Sequence, residues 1–355
     1  MIMAIKVGIL GFAHGHVMSY GGQWLAHPEL DVQMVAGWDH DEARLENCTK
    51  QLGGLKKCAT PEELLAEDID AVVISSETSR HCEFTEMAAA AGKAIICYKP
   101  MALTMEEADR MVAAVEKYNV PFTMGYQSRV DPQNIKIKEL ILSEEIGPTY
   151  LYRRRHGLAT HNWAGFENTW HNSAKENRDI FADDSAHPID MLNWIFGVPE
   201  TVSAEMSTMH NPKIPNDNGV ALFKYANGMI AEITCCFTCS AAEITTEVYG
   251  AKGAITQYYG DAVATRLPRP SDQPGLKWFV EGNSTWTDSG IPSPAAHGER
   301  LAAQAWAFAD FLHGRREPIC SVYSARDSLR MVLACYLSAR EGCRVRIDDE
   351  RVYEI

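Results

Sequence analysis

Short apolar runs alternate with helical stretches through the first 125 residues, and no other feature limits the accessible folds so strongly. The runs span 5–10, 32–38, 71–75, 94–97 and 122–125. Helical stretches fill the gaps at 17–26, 41–52, 80–91 and 104–118, with a further helix start at Thr60-Pro61-Glu62-Glu63. Thr104 reads as an N-cap ahead of Glu106 and Glu107, and Gly92 as a stop. This alternation predicts an α/β domain with a parallel, doubly wound sheet over residues 1–125.

Residues 126–355 have a different character. A helix is predicted at 132–143, a turn at Ile146-Gly147-Pro148, a strand at 149–156 and a helix at 182–196. Strands and turns follow: 202–209, 220–225, 229–238, 244–249, 254–258 and 262–266, with Asn227-Gly228 and Lys252-Gly253 as hairpin turns. They predict an antiparallel or mixed sheet. Residues 268–294 are rich in proline, serine and glycine and read as surface loop, and 298–312 and 324–339 read as amphipathic helices.

Composition narrows the partners. The net charge of −14 disfavours nucleic acid and acidic membranes. Residues 1–10 are too short for a secretory signal, and no run approaches the roughly 18 apolar residues of a membrane span. Ten scattered cysteines suggest reduced thiols and a cytoplasmic protein. Cys236 and Cys239 fall in a strand-like run, where odd spacing sends them to opposite faces, so neither a disulfide nor a metal site is expected there. Arg153-Arg154-Arg155 reads as a strand with alternating exposed arginines.

The first strand ends in Gly11-Phe12-Ala13-His14-Gly15-His16. A strand, a glycine turn and a helix, with an acid closing the next strand, form the dinucleotide fingerprint. Here it is degraded: Ala13 takes the second glycine position and His16 the third, with Gly15 one place early. Asp39 closes the second strand, 28 residues after Gly11. A carboxylate there would bind ribose hydroxyls and repel a 2′-phosphate, favouring NAD over NADP, and His40 in place of an arginine points the same way. His14 and His16 have no companion acid or cysteine nearby, so no metal is expected.

Asp183 and His187 stand four apart at a helix start, hence on one face. A carboxylate beside an imidazole makes a tunable general base, and a lysine nearby, Lys99, would favour the alkoxide of an alcohol. The alternative is a core histidine with a helix-start aspartate. Residues 161–177 offer His161, Asn162, Trp163, Trp170, His171 and Asn172. These suit stacking on a sugar and bonding its hydroxyls, or else ordinary loop packing.

Several segments occur in a telling order: the glycine turn, Asp39, Asp70-Ala71-Val72-Val73-Ile74 with His81, Ala91-Gly92-Lys93, Lys99-Pro100, 125–132, Ile146-Gly147-Pro148 and 183–190. In this the chain resembles the Gfo/Idh/MocA family, that is, glucose–fructose oxidoreductase, inositol dehydrogenase and their relatives. The resemblance implies a Rossmann domain followed by a C-terminal α+β domain on an open mixed, largely antiparallel sheet that forms subunit contacts, hence a homo-oligomer. It implies NAD as cofactor and a carbohydrate-like small molecule as substrate. His187 would be the general base, Lys99 would polarise the reacting oxygen and Asp183 would orient the substrate. Hydride would pass between C4 of the nicotinamide and a ring carbon bearing a secondary hydroxyl.

By the same resemblance, the cofactor would meet Gly11, Phe12, Ala13, His14 and His16 in the turn, with Asp39 and His40 beyond the second strand. Ser76, Glu77 and His81 would follow after the third, then Tyr98, Lys99 and Gln127. Substrate contacts would fall on Lys99, Arg129, His156, Trp163, Trp170, His171, Asp183 and His187. Three residues depart from the family pattern. Tyr98 replaces the glutamate before Lys99, Ser185 replaces a glycine, and Glu77 replaces a proline. Two other readings stay open: a dinucleotide-binding sensor without turnover, and an enzyme whose NAD stays bound and is recycled.

Overall fold

A computed structural model describes residues 4–240, 244–258, 275–294 and 297–355; the strand expected at 262–266 lies outside them. The described chain divides into two compact units. The first runs to Gln127 and takes in Lys175–Asn177 and Leu301–Leu329; the second holds Ser128–Ala174, Arg178–Arg300 and Arg330–Ile355. A single boundary at 125 therefore misses the return of the later chain to the first unit.

The first unit is built on six parallel strands: β1 (Ile5–Leu10), β2 (Val32–Trp38), β3 (Lys56–Lys57), β4 (Ala71–Ile74), β5 (Ala94–Cys97) and β6 (Phe122–Met124). Their spatial order is β3-β2-β1-β4-β5-β6, the doubly wound arrangement. Val7, Ile9, Leu10, Val72, Val73, Ile74, Ile95 and Ile96 have no exposed surface. Strands covered on both faces read as unbroken apolar runs, which explains why they were legible. The intervening helices are α1 (His16–Ala26), α2 (Glu42–Gln51), α3 (Pro61–Leu65), α4 (His81–Ala90) and α5 (Met105–Tyr118). The side chains of Asp41, Thr60 and Thr104 cap α2, α3 and α5.

The returning segment closes this unit. Trp24 Nε1 donates to the Ala305 carbonyl at 3.0 Å, and the Met124 amide donates to the Cys320 carbonyl at 2.8 Å, covering the outer edge of β6.

The second unit contains α6 (Pro132–Leu142), β7 (Thr149–Gly157) and α7 (Ile180–Phe196), then β8 (Thr201–Ser207), β9 (Asn218–Lys224), β10 (Ile230–Cys236), β11 (Thr245–Gly250), β12 (Gly253–Gln257), β13 (Leu276–Val280) and β14 (Thr287–Asp288). Helices α8 (His297–Leu312) and α9 (Val322–Glu341) and strand β15 (Val345–Arg346) complete the chain. Nine strands form one sheet, in the order β14-β13-β12-β11-β7-β10-β9-β8-β15, with β7 and β10 parallel and the other pairs antiparallel. Two strands, β13 and β14, emerge from the stretch read as loop. Leu276 is buried there, although neighbouring prolines and glycines mask the pattern.

Burial alternates along β7: Tyr152, Arg154 and His156 point inward, Leu151, Arg153 and Arg155 outward. Arg154, with no exposed surface, donates to Thr246 Oγ1 at 2.7 Å. Cys236 ends β10, so the parity argument stops there. The chain turns, and Cys236 and Cys239 are paired as a disulfide with Cα atoms 6.0 Å apart, which corrects the expectation of unpaired thiols.

The inward face of the sheet carries α7, which packs on β10 and β7. Asp179 rather than a later residue caps this helix, accepting from the Ala182 amide at 3.0 Å. Past its midpoint the helix is tied by Arg129. The guanidinium donates to both oxygens of Asp190, Nε to Oδ2 at 2.8 Å and Nη2 to Oδ1 at 2.6 Å. Arg129 is 6% exposed and Asp190 fully buried, so the pair ties the turn after β6 to α7. Asp190→Asn leaves the guanidinium against a neutral amide in a dry site. Its expected cost is about 3–5 kcal/mol in a denaturant titration; an unchanged midpoint would show the pair is dispensable.

Candidate active site

The carboxyl ends of β1, β2 and β4 are level, because Leu10 pairs with Trp38 on one side and Ile74 on the other. Gly11, Asp39 and Ser75 therefore leave the sheet along one edge, at the switch point between β1 and β4 where such sheets take ligands. Gly11 has φ +85°, and a Cβ there would stand 2.6 Å from the Ser76 Cα. Only glycine lets the turn lie on that loop. The His14 amide donates to the Ser75 carbonyl at 2.9 Å, and Ser75 Oγ donates to the His14 carbonyl at 2.7 Å. Helix α1 follows with no side-chain cap and no acid in its first turn. Its positive end is thus left for an anion, and a dinucleotide pyrophosphate fits it.

At the end of β2, Asp39 accepts from the Phe12 amide at 2.7 Å and the Asp41 amide at 2.8 Å. It also receives Arg44 Nε and Nη2, each at 2.8 Å. Arg44 Nη2 reaches Glu77 Oε1 at 2.8 Å as well. Phe12 itself is buried and offers its backbone. Sequence reasoning missed Arg44. Its signal was a cation in the first turn of α2, where the helix dipole disfavours one.

Tyr98 and the histidines of the glycine turn form one cluster. Tyr98 has no exposed surface. Its ring lies 4.8 Å from that of His14, 5.5 Å from His16 and 5.6 Å from Tyr20, on which it stacks. Its hydroxyl donates to Gln304 Oε1 at 2.9 Å, and burial holds the phenol well above the usual tyrosine range. Tyr98 thus supports the turn, and the two histidines that degrade the fingerprint pack on it. His14, 2% exposed, belongs to this support too.

The next residue, Lys99, is 3% exposed and joined to Pro100 by a cis peptide bond. His81 is wholly buried, with Nδ1 donating to the Pro100 carbonyl at 2.8 Å and Nε2 3.2 Å from the Ser76 carbonyl. Burial pushes its imidazole below the usual range, and it braces the two loops. Gln127 is buried in the short turn after β6.

In the second unit, Asp183 and His187 lie one turn apart on α7, 3% and 4% exposed. His171 Nδ1 donates to Asp183 Oδ2 at 2.9 Å. His171 is held in place by Trp170, with ring centroids 3.9 Å apart, and by Phe166 at 5.6 Å. The His187 ring stacks on His156 at 5.9 Å, and its Nε2 is 3.8 Å from Asp184 Oδ1. This unit thus brings together Asp183, His187, His156 and His171, whereas Lys99 belongs to the first. Trp163 is 43% exposed, edge-on to Phe166.

Residues 5–126 match the oxidoreductase family with an NAD-binding Rossmann fold, and residues 135–256 match the GFO/IDH/MocA C-terminal domain. The chain belongs to the Gfo/Idh/MocA oxidoreductases. Its cofactor is NAD. A D-apiose dehydrogenase of Paraburkholderia graminis is 27% identical over 332 residues, covering 89% of this chain and 83% of that one. A scyllo-inositol 2-dehydrogenase (NAD(+)) of Bacillus subtilis is 25% identical, covering 98% of each. The solved oxidoreductase from Agrobacterium radiobacter in complex with NAD+, L-tartaric acid and magnesium shares the fold, with a TM-score of 0.81 at 22% identity over 97% of this chain and 99% of that one.

In this Gfo/Idh/MocA protein the packing around Tyr98 leaves a carboxylate there without a partner of its own shape. Tyr98→Phe strands the Gln304 acceptor and should cost about 1–3 kcal/mol. Tyr98→Glu puts a carboxylate among Tyr20, Phe308 and two imidazoles and should cost more. Urea unfolding measures both; a Tyr98→Glu protein as stable as the parent would refute this packing role.

Proposed function

We propose that the protein oxidises, or in reverse reduces, a ring secondary alcohol of a sugar, cyclitol or glycoside. The Asp183–His187 turn of α7, with His171 on the carboxylate and His156 stacked on the imidazole, carries this reading. A base must be held in one orientation to take a proton from a bound hydroxyl, and the stacked, buried His187 ring meets that need. Asp183, aligned by His171, accepts from a neighbouring substrate hydroxyl and sets the ring's rotation. Lys99 donates to the reacting oxygen and favours its anionic form. NAD, when bound, supplies the hydride acceptor. In the oxidative direction the hydroxyl proton goes to His187 and hydride leaves the same carbon, giving a ketone.

Relatives named for D-apiose, inositols and levoglucosan support a polyhydroxylated ring. Trp163 and Trp170 offer faces for its C–H surface. The reading extends to C3 of a glycoside, where a ketone acidifies the adjacent C–H and prepares the glycosidic bond for elimination by another enzyme.

NADH formation with a panel of free sugars, cyclitols and O- and C-glycosides tests the assignment. Turnover is expected on one class, falling about 10²–10⁴-fold in His187→Ala. Turnover that survives the substitution would remove His187 as the base. NAD binding with no turnover on any class would favour a sensor.

We also assign the outward face of the nine-stranded sheet to contact with a second copy. Ile230, Leu151 and Tyr249 are paired neighbours across β10, β7 and β11, and are 44%, 39% and 43% exposed. Such an apolar row in water favours burial. Ile230→Asp should lower the mass seen by light scattering, whereas a mass of one chain in the parent would overturn this assignment.

A further inference from the structure

Two buried carboxylates, Asp39 and Glu77, stand together beside the nucleotide turn. Asp39 is 4% exposed and accepts four hydrogen bonds: Oδ2 from the Phe12 amide and Arg44 Nε, Oδ1 from the Asp41 amide and Arg44 Nη2. An ionised carboxylate has about four acceptor positions, so Asp39 is full. Glu77 is 3% exposed and spends Oε1 on Arg44. Its Oε2 is buried and makes no hydrogen bond within the described residues; Arg80 Nε stands 3.8 Å away. A dry carboxylate oxygen with no donor is costly unless a ligand supplies one. Glu77 follows Ser76, the residue on which Gly11 lies, so this acceptor borders the nucleotide turn.

Resting on the NAD reading, we propose that Glu77 is the ribose-recognising carboxylate and the determinant that rejects a 2′-phosphate. Its Oε2 accepts from a ribose hydroxyl. Its Oε1 keeps Arg44 clamped on Asp39, so the guanidinium within reach is already shared by two acids and is not offered to a phosphate. His40, with Nδ1 3.5 Å from Asp39 Oδ1 and Nε2 3.8 Å from Glu77 Oε1, is half-exposed above the pair. A 2′-phosphate would meet two carboxylates, with Arg44 held between them and Arg80 paired with Glu77.

The test is fluorescence titration of NADH and NADPH against the parent, Glu77→Gln and Glu77→Pro. Glu77 has φ −62° and ψ 147°, which proline adopts, so the second variant keeps the backbone if the first misfolds. NADH affinity should fall about tenfold and NADPH affinity rise, narrowing the ratio of the two dissociation constants by well over tenfold. Unchanged constants for both nucleotides, or an equal loss for both, would overturn the role of Glu77. A parent protein that binds neither nucleotide would instead overturn the NAD reading itself.

Discussion

The contact between Gly11 and Ser76 organises the nucleotide unit. With no Cβ at Gly11, the turn after β1 lies directly on the loop after β4, and two hydrogen bonds between His14 and Ser75 keep it there. His14 is thereby pressed onto Tyr98, whose own amide is bonded to Ile74. Tyr98 in turn precedes Lys99, and His81 joins the Ser76 loop to Pro100. One close backbone approach thus sets the turn, the support beneath it and the segment that carries the lysine. Tyr98 and the two histidines of the turn are one packed unit.

The second unit reaches the same end by different means. Asp183 and His187 stand on a helix held at its start by the Asp179 cap and, past His187, at Asp190 by Arg129. Buried polar groups of this kind are costly unless their partners are in place. The arrangement therefore favours one rotation of α7, the one that sets His187 against His156 and Asp183 against His171.

Most of the first 125 residues could be read from the chain because buried parallel strands and capped helices leave local signals. The sheet of the second unit was legible as far as β12. Beyond it, β13 was hidden among turn residues, and the paired Cys236 and Cys239 were misread because the strand ends sooner than its apolar run. In the site, Asp39, Lys99, Asp183 and His187 stood out by type and position. Arg44, Asp179 and Gln304 did not, since their partners are chosen by packing. Arg129, Tyr98 and His81 stood out because they adjoin the motifs, but their protein partners Asp190, Gln304 and Pro100 did not.

By itself the sequence determined what depends on neighbours along the chain. The strand–helix alternation, the glycine at the turn, the acid closing β2 and the four-residue spacing of Asp183 and His187 all follow from backbone sterics and helical periodicity. Tertiary structure alone decided where long side chains end. Tyr98 finds Gln304 across 206 residues, Arg129 finds Asp190 across 61, and Arg44 joins Asp39 to Glu77 across 33. Such pairings are selected by the desolvation of groups brought together when distant segments pack, and no local propensity encodes them.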